Sequence, residues 1–236
     1  MSKKKIKRLI KKMMGTIAKL SGAIGNGFDQ DTIHDFRVSV KSLRSILRLM
    51  ESCAEDDKFR MPKKLKRLYG IAGIIRESQL EKNMLYKKRV DAPKYVDALM
   101  HNIKEQKNAW YKHYSKKTIR KVLKRITTYR YKPLNPEAVN VFYHTRIASF
   151  KDLAPLPTDT QLHQVRKDLK DILLIENFLP SELKRAVQFP NKNLLGKLEE
   201  LAQTIGSYND ERLMLQHVNK FLDRTGKSNA GTFSQA

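Results

Sequence analysis

The spacing of apolar residues is the feature of this sequence that most constrains its fold. Apolar side chains recur every three or four residues along almost the whole chain, and no stretch alternates apolar and polar residues as a half-buried strand does. The first such segment runs from about Lys4 to Ser21 and has one apolar face, formed by Ile6, Leu9, Ile10, Met13, Ile17 and Leu20. The sequence therefore predicts an all-α protein.

Glycine and proline residues mark where the predicted helices begin and end. After the first helix we expect further helices over approximately residues 32–53, 63–89, 94–130, 135–151, 159–179 and 191–222. The segment from Thr32 to Asp35 reads as a capping box at the start of the second helix. Residues 152–160 are predicted to form a loop, and the polar tail over residues 224–236 is predicted to be disordered.

Two segments of the chain, residues 33–50 and residues 162–179, resemble each other. Three residues of the first segment match three of the second at a constant separation of 129: His34, Arg37 and Lys41 with His163, Arg166 and Lys170. A glycine-led element follows each segment, beginning at Gly73 and at Gly206. We therefore predict an internal duplication, with halves over about residues 1–131 and 132–223 packed as pseudo-symmetric helical bundles.

These motifs resemble the CHAD domain, the conserved histidine α-helical domain. The resemblance rests on H-x-x-R-x-x-x-K-x-x-R in the first segment, its partial copy in the second, and the glycine-led elements, and it extends over about residues 3–222. It implies a single domain over residues 1–223 made of two four-helix bundles related by a pseudo-twofold axis. It also implies a basic central pore or groove that binds inorganic polyphosphate without catalysis.

A stripe of cations follows the motif of the first half. His34, Arg37, Lys41, Arg44 and Arg48 are spaced 3, 4, 3 and 4 residues apart, so they project from one side of a helix over about 21 Å. An apolar stripe runs beside them, and cations that close to a core repel one another unless an anion lies among them. The candidate polyphosphate-binding residues are His34, Arg37, Lys41, Arg44, Arg48, Lys63, Arg67, Lys117, Arg120, Lys124, His163, Arg166 and Lys170.

Several of these residues have a structural interpretation that remains open. Arg44 and Arg48 could belong to a solvated face or to salt bridges with a neighbouring helix. The stripe of His113, Lys117, Arg120 and Lys124 on the predicted fourth helix could be a solvated face, although residues 111–132 contain no acidic residue. The basic residues from Lys3 to Arg8 could form a frayed arm or a groove wall.

The glycines and tyrosines of the chain also have two interpretations each. Gly73 and Gly206 fit close packing of helices better than phosphate loops, and the polar residues after them, such as Arg76 and Glu77, fit a role in orienting basic side chains. Four tyrosines alternate with basic residues between positions 111 and 131. They could stack on nucleic-acid bases or fill core and rim positions.

The net charge points to a polyanionic partner. With 48 Lys and Arg residues against 24 Asp and Glu, the formal net charge is +24, which opposes the compact state through self-repulsion. Inorganic polyphosphate is our leading hypothesis, and binding to the backbone of RNA or DNA is the alternative. Charge alone does not separate these partners, and the sequence leaves the oligomeric state open.

Other classes of protein find no support in the sequence. There is no Walker loop, no G-x-S-x-G and no paired-carboxylate site, so we expect no enzymatic activity, no cofactor and no metal site. Cys53 is the only cysteine, which excludes an internal disulfide and fits a reducing compartment. No window approaches about 18 uncharged apolar residues, and Lys19 interrupts the first apolar stretch. We therefore expect a cytoplasmic protein without membrane insertion, located at polyphosphate granules if polyphosphate is its ligand.

Overall fold

The computed structural model describes residues 1–53, 59–151, 157–187 and 192–232, and every regular element within these ranges is a helix. The prediction of an all-α fold is confirmed. The helices are α1 (Lys3–Ile24), α2 (Gln30–Glu51), α3 (Lys63–Lys87), α4 (Pro93–His113), α5 (Lys116–Thr127), α6 (Pro136–Lys151), α7 (Asp159–Glu176), α8 (Ser181–Ala186) and α9 (Lys192–Thr232).

The start of α2 differs from the sequence prediction. Asp29 caps this helix, because its carboxylate accepts hydrogen bonds from the amide and the hydroxyl of Thr32. The predicted capping box from Thr32 to Asp35 is therefore wrong, and the helix begins two residues earlier, at Gln30. A capping box does occur at α7, where Thr158 and Gln161 bond each other's backbone amides.

The predicted helix over residues 94–130 is two helices, α4 and α5. The chain becomes extended at Tyr114, and the Ser115 hydroxyl then accepts a hydrogen bond from the Thr118 amide and caps a new helix. No glycine or proline marks this break, so the sequence pattern missed it. As a consequence, His113 ends one helix while Lys117, Arg120 and Lys124 lie on the next, and the predicted four-residue stripe does not exist.

The two remaining differences concern the second half of the chain. Helix α9 continues to Thr232, ten residues past the expected end at residue 222, and disorder of the tail over residues 224–236 stays a prediction. Residues 233–236 lie outside the described part. The predicted loop over residues 152–160 also falls partly on residues 152–156, which are outside the described residues, and α7 already begins at Asp159.

Helix α2 lies at the centre of the packing. It contacts α1, α3, α6 and α7, while α7 in turn packs against α6 and α9. The buried face of α2 includes the apolar stripe that the sequence predicted, namely Ile33, Phe36, Val40, Leu43 and Leu47. The two helices that contain the copies of the motif, α2 and α7, are therefore direct neighbours.

The core beneath α2 is rich in aromatic rings. Phe36 and Trp110 are both fully buried, and their rings meet edge to face at a centroid distance of 5.6 Å. Trp110 also stacks on Tyr114, with a centroid distance of 5.8 Å. Edge-to-face and stacked rings contribute beyond their buried area, so this cluster anchors α4 against α2.

Replacing Phe36 with alanine should lower the free energy of unfolding by about 3–5 kcal/mol, because it removes a buried ring and leaves a cavity. Urea denaturation followed by circular dichroism measures this change. The control is Val38→Ala on the same helix, where the side chain is 37% exposed and the change should stay within about 0.5 kcal/mol. Equal losses in the two variants would contradict the assignment of Phe36 to the core.

Candidate polyanion-binding site

Lys41 lies in the middle of a group of cations that comes from both halves of the chain. Arg37 and Arg44 flank it on α2, and Arg166 and Lys170 approach it from α7. Burial of the ammonium group, followed by repulsion from these four neighbours, lowers the pKa of Lys41 from 10.5 to about 8. We name Lys41, Arg37, Arg44, Arg166 and Lys170 the Lys41 cluster.

Carboxylates of the described residues scarcely neutralise this cluster. The one ion pair within it joins Arg37 to Glu77 at 3.6 Å, and Glu77 is mostly exposed, so water screens the interaction. Glu77 thus contacts the motif arginine Arg37, as expected of a residue that orients basic side chains. The other four cations of the cluster form no ion pair in the part of the chain that the structure describes.

Arg37 is held in a fixed position by α3. Its Nη1 donates a hydrogen bond to the Tyr69 carbonyl at 3.2 Å, and its guanidinium lies over the Tyr69 ring, 4.6 Å from the centroid. Arg44 lies over the same ring at 5.2 Å. A Cβ atom at Gly73 would come within 1.9 Å of Arg37 Nη1, so this arginine can occupy its place only because residue 73 has no side chain.

Arg166 makes the corresponding contact in the second half. Its guanidinium lies over Gly206 of α9, where a Cβ atom would be 3.3 Å from Nη2. The Nε atom of Arg166 is buried and has no hydrogen-bond partner among the described residues. The sequence predicts that Gly73 and Gly206 permit close packing of helices, whereas in the structure the side chain nearest each glycine is that of the motif arginine.

The two motif histidines lie at the exposed ends of these cation rows. Partial burial lowers the pKa of His34, and repulsion from Arg76 lowers it further, although Asp35 opposes this. Partial burial likewise lowers the pKa of His163, together with repulsion from Lys167, Arg166 and Arg212. In the free protein, both histidines therefore hold their protons less strongly than an ordinary histidine does.

Two arginines of the site were not among the sequence candidates. Arg76 Nη1 donates to the carbonyl of Gln30, the first residue of α2, at 3.1 Å. Arg212 Nη1 bonds the carboxylate of Asp159, the first residue of α7, at 2.6 Å. Each arginine thus connects a glycine-bearing helix to the start of a motif helix. Arg76 could have been predicted as a site residue, because it follows Gly73 by three residues within the glycine-led element. Arg212 follows Gly206 by six residues, outside that element, and no sequence pattern marks it.

Arg48 differs from the other residues of its stripe. Its Nη1 lies 2.7 Å from Asp171 of α7, and Ser45 donates to the same carboxylate at 2.5 Å. Arg146 of α6 lies 3.5 Å from both Asp168 and Asp171. Arg48 therefore forms the salt bridge to a neighbouring helix that was its alternative interpretation, and its charge is balanced inside the protein.

The remaining candidates lie at the surface. Lys63 and Arg67 are exposed on the first turns of α3, and Lys117, Arg120 and Lys124 are exposed on α5, which packs against α1 and α3. Three of the four tyrosines serve packing: Tyr114 stacks on Trp110, and the hydroxyls of Tyr129 and Tyr131 donate to backbone carbonyls. The Tyr111 hydroxyl also donates to a carbonyl, that of Gly25, but this side chain is 59% exposed. The structure thus brings together five candidates from α2 and α7, whereas the α5 candidates lie on a helix that packs against α1 and α3: the five are Arg37, Lys41, Arg44, Arg166 and Lys170.

Comparison with known proteins agrees with the resemblance seen in the motifs. The profile of the CHAD domain matches residues 8–219, so the chain belongs to the CHAD domain family. A crystal structure of the CHAD domain from the plant Ricinus communis is similar in fold, with a TM-score of 0.69 and 16% sequence identity, covering 98% of this chain and 83% of that chain. No curated protein matches the sequence.

Two further observations concern the described residues alone. None of their helices combines the length and the apolar character needed to cross a bilayer. Within the same ranges, no three His, Cys, Asp or Glu side chains come together in a way that could hold a metal ion.

The contact between Arg37 and Gly73 can be tested with two alanine substitutions on α3. Gly70→Ala should raise the free energy of unfolding by about 0.5–1 kcal/mol, because alanine favours the helix and a Cβ atom there meets only open space. Gly73→Ala should give less or none of this gain, since the new methyl group displaces Arg37 from Tyr69. Thermal and urea denaturation measure both changes, and equal stabilisation would show that Arg37 does not occupy the position over Gly73.

Proposed function

We propose that this protein binds inorganic polyphosphate, without catalysis, in a basic groove where α2 meets α7. The observation that supports this most strongly is the Lys41 cluster: five cations from two helices lie together, and four of them form no ion pair within the described part of the chain. Burying and gathering such charges costs free energy: burial first, and repulsion from the neighbouring cations second, lower the pKa of Lys41. A bound polyanion would offset that cost.

The types of side chain in the cluster suit a chain of phosphates. Each guanidinium can donate two parallel hydrogen bonds to phosphate oxygens, while each lysine acts as a mobile point charge. A single exposed ion pair contributes only about 0–1 kcal/mol, so useful affinity requires many contacts with one polymer. His34 and His163 would extend the contact at its two ends, where a nearby phosphate raises the histidine pKa.

Membership of the CHAD domain family supports this proposal. The histidine, arginine and lysine residues of the family motif supply the Lys41 cluster and the two histidines at its ends. The contacts of the tyrosines favour polyphosphate over nucleic acid, because Tyr114, Tyr129 and Tyr131 are engaged in packing, and Tyr111 alone of the four, 59% exposed, does not form a surface on which successive bases could stack. We further propose that the protein resides in the cytoplasm with polyphosphate granules.

Competition binding tests the identity of the polymer. Labelled long-chain polyphosphate should bind tightly, and unlabelled polyphosphate should displace it better than RNA at equal phosphate concentration. Orthophosphate should compete far less well, because a single phosphate lacks multivalency. Displacement by RNA at lower phosphate concentration would instead favour nucleic-acid binding. Shortening of the polymer during incubation with magnesium would contradict a non-catalytic role.

Arg37→Ala and Arg166→Ala should each weaken polyphosphate binding by about tenfold or more, because each removes a charge-assisted contact worth about 1.5–3 kcal/mol. The double variant should bind more weakly than either single variant, while circular dichroism shows unchanged helicity. Arg185→Ala on α8, which removes an exposed arginine outside the cluster, is the matched control and should bind nearly as the wild type does. Wild-type affinity in the double variant would contradict the proposed groove.

Binding should weaken with rising pH in two steps. A bound phosphate chain raises the pKa of nearby cations, so the affinity falls once the pH exceeds the pKa of the free protein. For His34 and His163 this loss begins below pH 6.5, and for Lys41 it begins near pH 8. Isothermal titration calorimetry between pH 5.5 and 9.5 measures the profile.

The variant Lys41→Arg assigns the second step of this profile. Arginine keeps its charge over the whole range, so the loss of affinity that begins near pH 8 should disappear while the acidic step remains. A wild-type profile that is flat between pH 7.5 and 9.5, or an unchanged upper step in Lys41→Arg, would show that Lys41 does not contact the ligand.

A further inference from the structure

We propose that α1 forms a second site for a phosphate chain, separate from the Lys41 cluster. An open pocket of about 690 Å³ lies between the first half of α1 and the segment that follows α5. Six of its seven lining residues are cations and the seventh is a tyrosine: Lys3, Lys4, Lys7, Arg8, Lys11, Arg130 and Tyr131. We name this the α1 pocket.

The α1 pocket is distinct from the Lys41 cluster. The amino group of Met1 hydrogen-bonds the Leu134 carbonyl and is electrostatically coupled to Cys53, so the start of α1 lies near the C-terminal end of α2. Lys41 is twelve residues before Cys53, about 18 Å along a helix, so the start of the pocket at Lys3 and Lys4 lies towards the opposite end of α2 from Lys41. The two sets share no residue, and the residues that lower the Lys41 pKa most all lie on α2 and α7.

The surroundings of the α1 pocket are strongly positive. Neither residues 1–28 nor residues 106–136 contain an aspartate or glutamate, and α1 packs against α5. Lys117, Arg120 and Lys124 belong to the second of these segments and are exposed on α5. No carboxylate of the residues that the structure describes lines the pocket, so its cations concentrate anions from solution. The three α5 candidates therefore fit a role near this site better than a role at the Lys41 cluster.

The residues that line the α1 pocket favour a phosphate chain that has no bases attached. Tyr131, the one aromatic residue in its lining among the described residues, is only 3% exposed, and its hydroxyl donates to the Ile126 carbonyl. This lining therefore offers no ring on which a base could stack. The apolar face of α1, including Ile6 and Ile10, is buried in the core, so the helix has no apolar face to insert into a bilayer. Charge alone recognises the ligand at this site.

Two separated sites on one protein have a consequence for long polymers. A short chain would occupy either site, giving two bound chains per protein, whereas long chains would connect neighbouring protein molecules. The protein would thus cross-link polyphosphate as well as bind it. The choice of polyphosphate as ligand rests on the proposed function, but the existence of a second anion site does not.

Calorimetry with short-chain polyphosphate tests the second site. The triple variant Lys4→Ala, Lys7→Ala and Lys11→Ala removes half of the pocket cations from exposed helix positions, where alanine is well tolerated. The matched control is Lys87→Ala, Lys94→Ala and Lys104→Ala, which removes three exposed lysines from α3 and α4 and changes the net charge equally. Arg37→Ala with Arg166→Ala disables the Lys41 cluster instead.

The proposal predicts two short chains per wild-type protein, two for the control variant, and one for each of the other two variants. Light scattering with long-chain polyphosphate should show large assemblies for the wild type and the control only. An α1 variant that binds as many short chains as the wild type would overturn the second site. Loss of RNA binding without loss of polyphosphate binding in the α1 variant would overturn the assigned ligand. If the Lys41 cluster does not bind polyphosphate, the variant Arg37→Ala with Arg166→Ala keeps the wild-type stoichiometry. The α1 variant still loses one bound chain in that case.

Discussion

The structure depends on the way in which α2 and α7 are held together despite their like charges. One end of their interface is neutral overall, because two aspartates balance two arginines: Asp171 accepts bonds from Ser45 and Arg48, and Arg146 lies 3.5 Å from both Asp171 and Asp168. The adjacent part holds the Lys41 cluster, to which the described part of the chain supplies no comparable carboxylate. The ion pairs fix the helices at a distance at which the cations must repel one another. The repulsion thus results from the packing of α2 against α7, and a bound anion would reduce it.

Two glycines complete this arrangement. A long, rotamer-rich arginine normally loses considerable entropy when it binds a ligand. Here Arg37 and Arg166 lie over Gly73 and Gly206, on helices that come after the motif helices in the chain. Arg37 is further fixed by the Tyr69 carbonyl and ring. The ordering of these side chains is therefore part of folding, and less of it remains to be done on binding.

The sequence was sufficient to predict the helical class, the family and the pairing of the two motif helices. Apolar periodicity determines which face of α2 is buried, and the repeated H-x-x-R-x-x-x-K identifies α7 as its counterpart. The sequence could not show which cations are neutralised, because the partner of Arg48 is an aspartate 123 residues away. It also could not reveal the break between α4 and α5, since Ser115 is a cap only when the chain turns there. Arg212 was missed for a similar reason: its role depends on Asp159, which is distant in sequence.

The charge state of Lys41 provides the most direct test of this account. Nuclear magnetic resonance of the labelled side chain can follow its titration in the free protein and after addition of polyphosphate. The account predicts a pKa of about 8 without ligand and a return towards or above 10.5 with polyphosphate bound. A pKa near 10.5 in the free protein would show that the cations do not crowd Lys41. A pKa that stays near 8 in the complex would show that the phosphate chain binds elsewhere.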